Sequence, residues 1–82
     1  MKPPTRGDKL DEVMRLRAQT AEAAATIMGV EPAEVLLWVA DRQVPEQPQQ
    51  AALLAYLDID ERQLRGLLLR SQMRRTQWRI RD

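Results

Sequence analysis

Residues 20–40 read TAEAAATIMGVEPAEVLLWVA, two short helical periods with a stop between them. Thr20 has the side-chain oxygen that caps a helix start, and a helix over 21–28 follows from it. The inward positions of that helix are small, Ala21, Ala24 and Ala25, with Met28 at the end. Small residues let a neighbouring helix approach closely. Gly29 stands where the chain leaves a helix through positive φ, a conformation glycine adopts without steric cost. Glu31-Pro32 then restarts the helix, with proline at its first position and an acid at the positive end of the dipole. In the third helix, about 32–40, Val35 and Trp38 share one face. Leu36 and Leu37 cannot both turn inward with them.

Working outward, Leu10, Val13 and Met14 recur at helical spacing and predict a first helix over roughly 10–18. The preceding MKPPTRGDK, residues 1–9, has two prolines and a glycine and is expected to be a mobile arm. On the other side, DRQVPEQP at 41–48 reads as a loop, and Pro48 opens a fourth helix ending near Leu57. Asp60 and Gln63 form a capping-box pattern, and Leu64, Leu67 and Leu68 give the fifth helix its inner face. The expectation is an all-α, compact five-helix domain over 10–70, followed by a basic tail, 71–82, that extends the last helix or trails from it.

Composition agrees with that class and excludes several functions. The 82 residues are 44% apolar and 30% charged, with a net charge of +1. Leucine and alanine dominate the apolar set, and β-branched and aromatic residues are few, which favours helix over strand. Cysteine and histidine are absent, so disulfides, the usual zinc sites, thiol catalysis and histidine acid–base chemistry are out of reach. Asp58, Asp60 and Glu61 lie close together, but helix capping accounts for them. No glycine-rich phosphate loop or nucleophile–base set is present. Neither an enzyme nor a cofactor is expected. No apolar run approaches a membrane span, and the first residues lack the apolar stretch of a secretory signal. The expected setting is the cytoplasm.

From Thr20-x-x-x-x-Ala25-x-x-x-Gly29-Val30 through Val35-x-x-Trp38 and Pro45 to Leu57-Asp58-Ile59-Asp60, the chain resembles the lambda repressor-like helix-turn-helix family, of XRE, Cro and phage-repressor type. The first stretch is similar to that family's second helix and turn, the second to its recognition helix, and the last to its Leu-Gly-Val-Ser close. The family often joins its first and third helices by a buried Arg–Glu pair, at positions held here by Met14 and Val39. Both partners have become apolar together, an exchange with little loss of stability. The resemblance implies a DNA-binding regulator, with Thr20, Ala33, Leu37, Arg42 and Gln43 at its DNA-contacting positions. Here the sequence departs from the family. Ala21 replaces a frequent glutamine, and Pro32, Ala33 and Leu37 offer no donor for a base edge. Glu31 and Glu34 beside them oppose phosphates.

The arginines supply the remaining electrostatic signal. Residues 62–82 carry seven of them against Asp82 alone, a local charge of +6, leaving −5 for the rest. Arg70, Arg74, Arg75 and Arg79 are therefore the expected phosphate contacts on double-stranded DNA. Leu36, Leu69, Met73 and Trp78 are apolar residues left over once the core is filled. They are expected at a protein interface, most simply that of a homodimer. Two functions follow. One is a small DNA-binding transcriptional regulator held mainly by Arg–phosphate contacts. The other is a protein-binding adaptor or inhibitor that keeps the fold and uses Leu36, Leu37, Glu31 and Glu34 as its surface.

Overall fold

The computed structural model describes residues 3–81, with side chains described as far as residue 74. Five helices follow one another, α1 (Arg6–Leu16), α2 (Ala21–Met28), α3 (Pro32–Val39), α4 (Gln47–Leu57) and α5 (Glu61–Arg81), with no strand among the described residues. The domain is all-α, as its composition and periodicity predict.

Local chemistry sets most of the boundaries. Thr20 Oγ1 accepts from the Ala23 N–H at 3.2 Å and caps α2. Gly29 closes that helix in the left-handed region at φ 72°. Pro32 opens α3 from an extended Glu31. Asp60 and Gln63 exchange side-chain-to-backbone bonds at 2.8 and 3.1 Å, the capping box that starts α5. Asp58 ends α4 at φ 57° and ψ 50°. Aspartate is among the few residues other than glycine that visit this region readily.

Leu10 and Met14 of α1, Ala24, Ala25 and Met28 of α2, Val35 and Trp38 of α3, Leu53, Tyr56 and Leu57 of α4, and Leu64 of α5 form one buried cluster. Trp38 is fully enclosed. Met14 is buried and Val39 packs against the cluster half-covered, so both sit in apolar surroundings.

The chain does bury one ion pair, in a different place. Arg6 at the start of α1 and Asp41 just after α3 are both fully enclosed, with Arg6 Nη2 3.8 Å from Asp41 Oδ1. Asp41 accepts from Thr5 Oγ1 (2.7 Å), the Gly7 N–H (2.9 Å), Ser71 Oγ (2.7 Å) and Arg74 Nη1 (3.0 Å). Ser71 Oγ also accepts from the Arg6 N–H at 3.1 Å, and Arg6 Nη2 donates to the Gln43 carbonyl. Arg74 Nη2 lies 3.1 Å from Asp8 Oδ2. Two arginines and two aspartates thus balance in one corner that joins α1, the α3–α4 loop and α5.

This corner corrects two sequence expectations. Residues 5–9 do not belong to a mobile arm, because α1 begins at Arg6 and not at residue 10. Thr5 caps it, exchanging bonds with Asp8 at 3.2 and 3.3 Å, and Thr5, Arg6 and Gly7 are all buried. Gly7 is required there. A Cβ would lie 2.2 Å from the Val39 carbonyl oxygen and 2.9 Å from the Asp41 carboxylate. The boundary expected at residue 70 also moves, since Ser71 is a buried member of the corner, while the tail extends the last helix, one of the two arrangements expected for it.

Candidate functional site

Helix α3 presents an unusual outer face for a helix that follows such a turn. Its spacing buries Val35 and Trp38, which leaves Leu36 59% and Leu37 37% exposed. Glu31 and Ala33 are exposed beside them, and Glu34 is half-covered. The Glu34 carboxylate accepts from Gln49 Nε2 at 2.8 Å, which ties α3 to α4. Gln49 Oε1 in turn accepts from the Glu46 N–H at 2.9 Å. The face is two leucines and an alanine flanked by carboxylates. Bidentate readout of base edges needs Arg, Lys, Asn or Gln, and α3 contains none of them.

The residues expected at a DNA surface differ in their surroundings. Thr20 is committed to its cap. Arg42 is exposed on the α3–α4 loop, and neighbouring Gln43 is half-buried with its carbonyl held by Arg6. Arg70 is exposed, its Nη1 at 3.5 Å from the Pro4 carbonyl oxygen. Arg74 turns into the polar corner, where Asp8 and Asp41 compensate its charge. Arg75, Trp78 and Arg79 lie outside the described side chains. Arg6, Asp41 and Ser71, the corner's buried members, escape a reading based on apolar periodicity. The one local signal that points to them is Thr5-x-x-Asp8, a helix start inside an apparently unstructured leader.

A second apolar face lies on α5. Leu64 and Leu67 turn inward, so Arg62, Gly66, Leu69 and Met73 line up outward at four- and three-residue steps. Leu69 is 61% and Met73 62% exposed. Val44 from the α3–α4 loop joins Gly66, Leu68 and Leu69 in the lining of an open groove of about 640 Å³, with Arg62, Arg65 and Gln72 around it. Gly66 has no internal justification. A Cβ there would meet nothing within 4 Å, yet glycine inside a helix costs about 1 kcal/mol relative to alanine.

Together these features define an all-α five-helix domain whose second and third helices meet across a glycine turn. It carries two exposed apolar faces, one acid-flanked on α3 and one arginine-flanked on α5. Comparison with protein families, with curated proteins and with solved structures gives no match. No described helix is long and apolar enough to cross a membrane.

Proposed function

We propose that this domain is a protein-docking module, an adaptor or inhibitor built on a helix-turn-helix arrangement, with the outer face of α3 as its contact surface. The observation that supports this reading is the pairing of exposed Leu36 and Leu37 with Glu31 and Glu34, on a helix with no side chain for bidentate base readout. Apolar side chains at the centre of a contact provide its affinity, and charges at the rim provide selectivity and encounter rate. The same two acids repel phosphate. Mixing the full chain with random-sequence duplex DNA across a salt series tests the reading, which expects no appreciable complex even at low salt.

A second reading, a DNA-binding transcriptional regulator held by Arg–phosphate contacts, is supported by the α2–turn–α3 arrangement and by exposed Arg42 immediately beyond α3. It expects a complex whose log K falls with log salt by about 0.9 per phosphate contact. Arg42→Gln with Arg70→Gln should then flatten the slope, and Glu31→Gln with Glu34→Gln should tighten binding. Arg74 is a poor choice for that series, because Arg74→Gln also takes a charge from the Asp41 corner.

A further inference from the structure

The two exposed apolar faces are complementary in charge. On α3, Leu36 and Leu37 are flanked by Glu31 and Glu34. On α5, the groove over Val44, Gly66, Leu68 and Leu69 is rimmed by Arg62 and Arg65, both exposed. Among the other helices α5 packs mainly on α1. The absent side chain at Gly66 leaves its backbone open to close approach, with nothing among the described residues occupying the space.

We propose that the occupant of the α5 groove is the α3 face of a second copy of this chain. The inference rests on the reading of α3 as a docking surface and names its partner. Leu36 and Leu37 enter the apolar floor above Gly66, and Glu31 and Glu34 meet Arg62 and Arg65 at the rim. The alternative symmetric contact, α5 against α5, sets arginines against arginines and is opposed by their charge. The two surfaces in the contact differ, so the association is head-to-tail. An open assembly keeps one free α3 face at one end and one free groove at the other, and it grows as a filament unless its rotation closes a ring.

Sedimentation velocity of the full chain over a concentration series tests this, with far-UV circular dichroism as the control for folding. The sedimentation coefficient should rise with concentration and fall with added salt. Glu31→Lys with Glu34→Lys, and separately Arg62→Glu with Arg65→Glu, should each weaken self-association by about tenfold or more. Mixing these two variants should restore it, because lysines on one then face glutamates on the other. Gly66→Leu fills the groove and should leave a folded monomer, even if a lysine variant fails to fold.

A parent chain that stays monomeric at every concentration overturns the inference. So does a Gly66→Leu variant that associates like the parent, or a mixture of folded charge variants that stays apart. Failure of the underlying reading looks different. In that case the chain binds random duplex DNA, and Glu31→Gln with Glu34→Gln tightens the complex. A monomer that binds no duplex DNA sinks the second copy as partner and leaves α3 as a docking face.

Discussion

Trp38 and Asp41 lie three residues apart at the end of α3, both fully buried, and they hold the fold by unlike means. The cluster that holds Trp38 is apolar and draws residues from all five helices. The Trp38 indole Nε1 finds no acceptor among the described residues, so its contribution is area and shape. Around Asp41 every partner is polar, drawn from residues 5–7 and 71–74. An apolar cluster tolerates approximate fits, since any well-shaped hydrophobe recovers most of the burial. A buried carboxylate has no such latitude. Removing one member of a buried pair strands the other charge, although replacing the whole set with hydrophobes can be neutral.

The largest expected effect comes from Asp41→Ala, which leaves Arg6 without its enclosed counter-charge and frees the hydroxyls of Thr5 and Ser71. A loss of about 3–5 kcal/mol is expected, a large part of the roughly 5–15 kcal/mol that domains have. Urea titration would measure it, and a loss under 1 kcal/mol would show that the corner is incidental. Trp38→Ala should fall in the same range, about 3–5 kcal/mol. An unchanged melting temperature for that variant would overturn the apolar half of the comparison. Gly7→Ala addresses the geometry that joins the two regions. Its added carbon meets the Val39 backbone carbonyl, which cannot swing aside, and the expected loss is about 1–3 kcal/mol.

The smallest effect is one of pH. Partial burial would raise the Asp8 carboxyl, but the Thr5 N–H and the Arg74 guanidinium outweigh it and hold the group below its ordinary value of 3.8. A carboxylate with a depressed folded-state pKa stabilises the fold above its unfolded value. That stabilisation disappears as pH falls through the folded value. Arg74→Gln should therefore move the Asp8 titration upward and narrow the acid range in which the domain stays folded. NMR titration of Asp8 in both proteins would check this, and an unmoved midpoint would remove Arg74 from the corner's electrostatics.

The two regions also differ in how far they can be read from the amino-acid order. The Trp38 side is written as spacing. Val35 and Trp38 three apart, Leu10 and Met14 four apart, and Leu64 with Leu67 each announce a buried helical face, and Gly29, Pro32 and Asp60–Gln63 announce its limits. Leu36, Leu37, Leu69 and Met73 are legible as leftovers by the same rule. The Asp41 side has one local sign, the Thr5-x-x-Asp8 helix start, and nothing more. Arg6 sits in a stretch with two prolines and a glycine that reads as unstructured, and arginine is seldom fully enclosed. Its partners are brought together by tertiary packing across 65 positions of chain, from Arg6 to Ser71. Arg74 was legible as a positive charge and not as a paired one. The sequence states that it is basic, and only the fold brings Asp8 and Asp41 beside it.

The span of those polar bonds bears on biosynthesis. Every buried residue of the cluster around Trp38 is outside the ribosome once Leu64 has emerged. Asp41 and Arg6 have by then emerged too, while Ser71 and Arg74 are still in the exit tunnel. A chain produced from its N-terminus collapses its apolar residues first. The carboxylate of Asp41 receives its last two hydrogen-bond donors only when α5 has been extended to residue 74. Packing and locking are therefore separate events in the life of a newly made molecule. A nascent chain held with Leu64 outside the ribosome and Ser71 still inside should be compact yet still open at the corner that fastens its ends together.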